Sequence, residues 1–231
     1  MLKVICFVLF CFLFVQLPVW SDEAVPPPLG RSEELRIQFI GNEAILITDG
    51  KTTLLSDYPY RSGYSIYMEY DPAKVRPEGD VLCLITHGHG DHFEPELFAK
   101  TNWKIVAPND VASQVDPSRV VGSGRTRTFK DIQIEAIETP HARIGHYSYV
   151  VTWHGKRFFF AGDTESTDAL VAEKRIDVAF VTPWLLQSVQ EFGKKIDAAT
   201  ILIYHQAEKE KTPTCDRCKV LTQYEWLQPQ P

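Results

Sequence analysis

The chain has 231 residues, 44% of them apolar and 23% charged, values close to those of an average soluble globular protein. That length suits one domain, or at most two small ones, and the composition excludes collagen-like, disordered and multi-spanning membrane chains. Twenty-four Lys and Arg against 30 Asp and Glu give a formal charge of −6, so no strongly basic face is implied and nucleic acid is not an expected partner.

The averages conceal an asymmetry. Residues 1–21 carry one charge, Lys3, then an apolar run from Val4 to Val15, a breaker at Pro18 and small residues near Val19 and Ser21. A run of about 12–14 residues is short for a hydrocarbon core of ~30 Å, and the order of basic start, apolar run and small residues is that of a secretory signal. Residues 1–21 are therefore predicted to be a signal peptide cleaved after Ser21, which makes the mature chain secreted or periplasmic. The alternative is an uncleaved anchor, the one way in which a membrane becomes a partner. Cys11 follows bulky Phe10, which disfavours a lipoprotein. Cleavage removes Lys3 and no acid, so −6 becomes −7. It leaves Cys83, Cys215 and Cys218, too few for a disulfide framework in a chain long enough to build a core without one.

Residues 22–34, with Pro26-Pro27-Pro28, Gly30 and four acids, read as an exposed Pro-rich linker. Short β-rich runs then begin. Leu35–Ile40, Ala44–Thr48 and Thr52–Ser56 are predicted strands, separated by Gly41-Asn42 and by Asp49-Gly50, a strong hairpin signal. Val81–Thr86 is almost continuously apolar, as in a strand buried on both faces. Glu94–Lys100 predicts a short helix, Lys104–Ala107 a strand, and Asn109 a cap for the helix after it. Thr126–Phe129 pairs with Ile132–Glu138 around Lys130-Asp131, and Tyr147–Trp153 pairs with Lys156–Ala161 around His154-Gly155. Asp177–Thr182 and Thr200–Tyr204 are late strands, each preceded by a helix. Residues 208–231 form a polar tail, read as peripheral. The predicted class is α/β (α+β): one domain over residues 35–207, sheet packed on sheet with helices outside, in four layers.

The chemistry concentrates in Thr86-His87-Gly88-His89-Gly90-Asp91-His92, directly after the buried strand. In extended backbone, residues two apart point the same way, so His87 and His89 converge on one point. Gly88 and Gly90 allow a sharp turn that redirects Asp91 and His92 to a neighbouring position. Imidazole and carboxylate suit zinc, iron or manganese. Four side chains do not complete two metal sites, and further candidates lie past later strand ends: His141 in Thr139-Pro140-His141, Asp163 in Phe160-Ala161-Gly162-Asp163-Thr164, and His205. No serine or cysteine triad stands out.

These segments, with Gly41-Asn42-Glu43-Ala44-Ile45-Leu46-Ile47 and the Leu54-Leu55-Ser56-Asp57 strand end, resemble the metallo-β-lactamase superfamily from about Leu35 to His205. The likeness is to its small metal-dependent hydrolases, the branch containing ascorbate-phosphate lactonase-like enzymes. The resemblance implies an αββα sandwich and two divalent metal ions, zinc foremost, with manganese or iron as alternatives. It assigns His87, His89 and His141 to one metal, Asp91, His92 and His205 to the second, and Asp163 to a bridge between them. Asp57 would support the ligands by hydrogen bonds. Two ions about 3.5–4 Å apart share and acidify a water, which can attack a carbonyl carbon or a phosphorus, and Asp91 would also orient that nucleophile.

The expected function is an exported dinuclear hydrolase of a small ester, lactone or phosphodiester. The alternatives are a non-catalytic exported metal-binding protein and a β-lactam hydrolase. By the resemblance, β-lactam hydrolysis is disfavoured by Asp163, oxygen-reducing diiron chemistry by His89 where those members carry glutamate, and RNA processing by export and acidity. Arg143, His146 and Trp184 are candidate substrate contacts, with a structural hydrogen bond and core packing as the readings against His146 and Trp184. Tyr58 and Tyr60 are candidates for a rim. Cys215 and Cys218 are spaced for a local disulfide, with a shared zinc half-site as the alternative.

Overall fold

A computed structural model describes residues 34–229; the predicted signal segment, and the linker up to its last residue, lie outside the described residues. The first sheet is built by β1 (Arg36–Gly41), β2 (Ala44–Thr48), β3 (Thr52–Ser56), β4 (Asp80–Leu84) and β5 (Lys104–Val106). β1 to β3 form an antiparallel meander, and β4 and β5 add in parallel. The Asp49-Gly50 turn forms as its residue types require. Asp49 Oδ1 accepts the N–H groups of Lys51 and Thr52, each at 2.8 Å, and Gly50 takes a φ of 87°. Two one-turn helices follow the parallel strands, α1 (Pro95–Phe98) and α2 (Asn109–Ala112).

The second sheet begins with an antiparallel run, β6 (Thr126–Phe129), β7 (Ile132–Glu138), β8 (Tyr147–Trp153) and β9 (Lys156–Phe160). The helices α3 (Asp168–Ala172) and α4 (Pro183–Glu191) then carry crossovers into two parallel strands, β10 (Ile176–Val181) and β11 (Ala198–Ile203).

Strand side chains alternate between faces, and three separate apolar clusters result, one for each interface of four layers. Leu82 and Leu84 of β4 join Phe158 and Phe160 of β9 between the sheets. The alternate residues Cys83 and Ile85 pack outward with Phe98 and Val111 of α1 and α2. Phe159 and Val181 pack outward against Leu185, Leu186 and Val189 of α4. The near-continuous apolar run at Val81–Thr86 is thus explained: both of its faces are covered. The αββα expectation is met, with short helices.

Three local expectations differ from the structure. The helix predicted over Glu94–Lys100 is confined to Pro95–Phe98, with the Glu94 side chain accepting from Glu96 N–H as its cap. Asn109 is the first helical residue of α2, and Pro108 stands at the cap position. The tail is integral. Its strand β12 (Cys218–Val220) adds in parallel to β11, β13 (Trp226–Leu227) adds antiparallel to β1, and Leu221 between them enters the inter-sheet core. The tail satisfies the open edge of one sheet and then of the other.

Candidate metal centre

All the candidate ligands sit just past strand ends. The 87–92 segment follows β4, His141 follows β7, Asp163 follows β9 and His205 follows β11. The two sheets are fastened together at this end, where Tyr147 N–H donates to Thr86 O at 2.9 Å and Tyr149 Oη donates to Ile85 O at 2.7 Å. The turn after His89 closes through N–H bonds from His92 and Phe93 to His89 O, at 3.0 and 2.9 Å. Neither Gly88 nor Gly90 is left-handed there. Gly88 sits close to its neighbours, where a Cβ would stand 3.2 Å from the Val111 side chain, a tight contact.

Two groups of donor atoms result. His87, His89, His141 and Asp163 offer atoms all within 4.8 Å of one another, and so do Asp91, His92 and His205. Asp163 faces both. Its Oδ2 lies 3.8 Å from His87 Nε2 and 3.5 Å from His92 Nε2, and its Oδ1 lies 3.3 Å from His205 Nε2. Asp91 Oδ2 lies 3.5 Å from His92 Nε2 and 3.4 Å from His205 Nε2.

A layer of polar contacts stands behind them. Asp57 is buried and accepts from Thr86 N–H at 2.7 Å and from Thr86 Oγ1 at 2.9 Å, and the Thr86 hydroxyl also lies 3.1 Å from His87 Nδ1. Asp57 Oδ2 lies 3.3 Å from His92 Nδ1, and its hydrogen bonds run to Thr86. Sequence reasoning assigned no role to two neighbours. Asn42 donates from Nδ2 to Asp91 O at 2.7 Å, accepts Tyr64 N–H on Oδ1 at 3.0 Å, and its carbonyl accepts His205 N–H at 2.8 Å. Glu43 is fully buried, with Oε2 3.6 Å from His92 Nδ1. The available signal was an Asn-Glu pair in the turn between two predicted strands. Asn42, Asp57 and His205 hold φ of 54°, 42° and 49°, left-handed backbone that non-glycine residues adopt at a cost.

The centre is built for cations. His92 Nε2, His205 Nε2, His141 Nε2 and Asp163 Oδ1 are buried without a hydrogen-bond partner. Orphaned polar atoms of this kind are expensive unless a ligand satisfies them, and a histidine and carboxylate set suits a borderline divalent metal. The charge balance agrees. Burial works against the His92 imidazolium, but the surrounding Asp163, Asp57 and Asp91 raise its pKa well above the ordinary value. Burial raises the Asp91 carboxyl, and the close His205 and His92 rings overcome this and hold it far below the usual carboxylate range. Glu43 is pushed well up, first by burial and then by Asp163.

The remaining candidates divide. His146 takes the structural hydrogen bonds weighed against a substrate contact. It is buried, Nε2 accepts the Asp163 N–H at 3.0 Å, and Nδ1 lies 2.8 Å from Thr139 Oγ1, so both ring nitrogens are engaged inside the protein. Arg143 is exposed on the turn after His141, with a φ of 60°. Trp184 is half-buried and packs edge-on to His205, with ring centroids 5.1 Å apart. Tyr58 and Tyr60 do not form a rim. Both are buried in the outer core of the first sheet, and the exposed Tyr64 takes that place, its ring 5.2 Å from His205. Cys215 and Cys218 are joined by a disulfide.

Comparison with known proteins agrees with this fold. A beta-lactamase superfamily domain matches residues 36–185. A UPF0173 metal-dependent hydrolase of Thermus thermophilus is 28% identical over 165 residues, covering 64% of this chain and 70% of the relative. A metallo hydrolase from Ignicoccus hospitalis shares the fold at a TM-score of 0.60 and 16% identity, over 84% of this chain and 97% of that one. An isothiocyanate hydrolase from Delia radicum gut bacteria does so at 0.63 and 15% identity, over 85% and 100%. With a domain match that runs from β1 to β10 and takes in six of the seven candidate side chains, the chain belongs to the beta-lactamase superfamily.

Proposed function

We propose that the chain is an exported dinuclear metal-dependent hydrolase acting on a small ester, lactone or phosphodiester. The observation that carries this reading is the Asp163 carboxylate, which faces both donor groups. His87, His89 and His141 would hold one ion, Asp91, His92 and His205 the other, and Asp163 would bridge. Bound divalent ions, zinc foremost, supply Lewis-acid polarisation of the substrate and acidify water.

The chain's own residues supply orientation. Asn42 fixes the Asp91 backbone and the His205 N–H, so that Asp91 is aimed while its carboxylate stays available as an acceptor. Asp57 and Glu43 bracket His92 Nδ1, which leaves Nε2 to face the centre. Tyr64 and Trp184 flank His205 and would form the aromatic wall against which a substrate lies. Export is supported by the signal-like segment at residues 1–21 and by the Cys215–Cys218 disulfide, since such bonds persist in oxidising compartments.

The test is a panel of lactones, phosphodiesters, thioesters and β-lactams, run with zinc and with manganese on wild type and Asp91→Asn. Hydrolysis of one class, lost on chelation and collapsed in Asp91→Asn with the fold intact, is expected. Turnover indifferent to chelator and to Asp91 would overturn the reading.

A further inference from the structure

Among the described residues two arginines are buried outside the metal centre: Arg36, which pairs with Glu78 at 3.2 Å, and Arg127, which has no ion pair. Arg127 on β6 stands directly opposite Ile134 on β7, and Ile134, Ala136 and Tyr149 all face the inter-sheet core. Arg127 therefore projects from the same inner face, near the side where β5 and β6 are the free outer strands of their sheets. Only 9% of its surface is exposed. Its Nε and Nη1 are buried without a hydrogen-bond partner, and its one described contact of note is the Tyr147 ring, 5.6 Å from the guanidinium carbon. The neighbouring Arg125 is different, because its Nε donates to Glu135 Oε1 at 2.6 Å.

A charged group buried with unsatisfied donors is costly, and the cost is relieved when an acceptor of opposite charge arrives. Arg127 borders a groove of about 690 Å³, whose other walls include Ala107, Ala112, Val120, Ala136 and Tyr147. Asn109, Glu138 and Tyr147 also line a second hollow, which ends against Ile144, Gly145 and His146 on the turn that carries His141. The groove thus runs from the guanidinium, over a mixed surface that includes Asn109, Ser123, Arg125 and Glu138, towards the strand end that delivers a candidate metal ligand.

We propose that Arg127 anchors a binding subsite for the carboxylate or phosphate group of a small molecule. A planar guanidinium carries five N–H donors in a rigid arrangement, and one whose Nε and Nη1 lack partners inside the protein gains more from an arriving anion than a lysine ammonium would. The site is independent of the hydrolytic reading, because binding is measured without turnover.

The experiment is calorimetric titration of the metal-loaded full chain with benzoate and with inorganic phosphate, on wild type, Arg127→Lys and Arg127→Met. Saturable binding is expected in wild type, weakened about tenfold or more in Arg127→Met and by less in Arg127→Lys, with the melting temperature of both variants maintained. The ¹⁵N-detected Nε–H signal of Arg127 in the wild type, which depends on no variant, should shift with the same affinity. Anion binding that survives Arg127→Met unchanged places the anion at the metals and overturns the proposal. So does an Arg127 signal that fails to move at saturation.

Discussion

The backbone N–H of Asp163 donates to Nε2 of His146 at 3.0 Å. Nε2 is therefore the unprotonated nitrogen, and Nδ1–H donates to Thr139 Oγ1 at 2.8 Å. Burial, with His141 next in effect, pushes the His146 pKa down to about 3, which keeps the ring neutral and able to accept. His146 is a positioning residue for the proposed bridging carboxylate. His146→Ala should lower metal affinity by about 10–100-fold, as losing a partner of a ligand typically does. His146→Gln, whose amide oxygen can accept the same N–H, should recover part of it. Equal affinity in all three, by competition with a chromogenic chelator, would contradict this role.

Gly162 makes that hydrogen bond possible. Its φ is 65°, and a Cβ built on it would stand 2.4 Å from His146 Nε2 and 2.9 Å from the Thr86 Cβ. Gly162→Ala carries the backbone penalty of roughly 1–2 kcal/mol for a left-handed L-residue, and the displacement of His146 adds to it. Urea denaturation should show a loss of at least ~2 kcal/mol, together with a lower metal content.

At the opposite end of the sandwich, Asp49 accepts N–H bonds from Lys51 and Thr52, and its Oδ2 lies 3.1 Å from His154 Nε2. Burial raises its carboxyl pKa, but the bonds with His154, Thr52 and Lys51 prevail and lower it. A lowered carboxyl contributes stability that is complete above its unfolded value of ~3.9 and is lost as pH falls through the folded value. Asp49→Asn should therefore cost about 1–2 kcal/mol at neutral pH, with the gap to wild type closing as pH drops below about 3.9. A gap that stays constant across that range would mean that the carboxylate charge is immaterial.

The tail should prove indispensable, and its disulfide nearly dispensable. Ending the chain at residue 213 removes β12, β13 and Leu221, and so reopens an edge of each sheet and the core beside it. Such a chain should fail to give a cooperative melt. The Cys215–Cys218 bond spans a sequence separation of 3 and constrains little of the unfolded chain. Replacing both cysteines with serine should cost well under the ~3 kcal/mol associated with a 15-residue loop.

The candidate ligand set was legible because four of its members fall within residues 87–92, and because His141, Asp163 and His205 each follow a recognisable strand. The layers were legible for a similar reason. Runs such as Val81–Thr86, apolar at every step, demand cover on both faces. Asn42 and Glu43 were hidden by their setting, because a polar pair after glycine looks like any hairpin turn, and only the return of the 87–92 segment and of His205 gives it partners. Arg127 sits in a short polar strand whose inward face is set by pairing with β7, information absent from four residues. β12 and β13 span three and two residues, too short for any period to register.

The central claim is that the two donor groups form one centre joined by Asp163. Metal stoichiometry by elemental analysis of the purified, zinc-loaded chain, wild type beside Asp163→Asn, tests it most directly. The account predicts two zinc ions per wild-type chain, and a marked loss from Asp163→Asn while the folded signal of the sandwich persists. A wild-type chain that binds one ion or none under saturating zinc, or an Asp163→Asn chain that retains both ions with unchanged affinity, would contradict it.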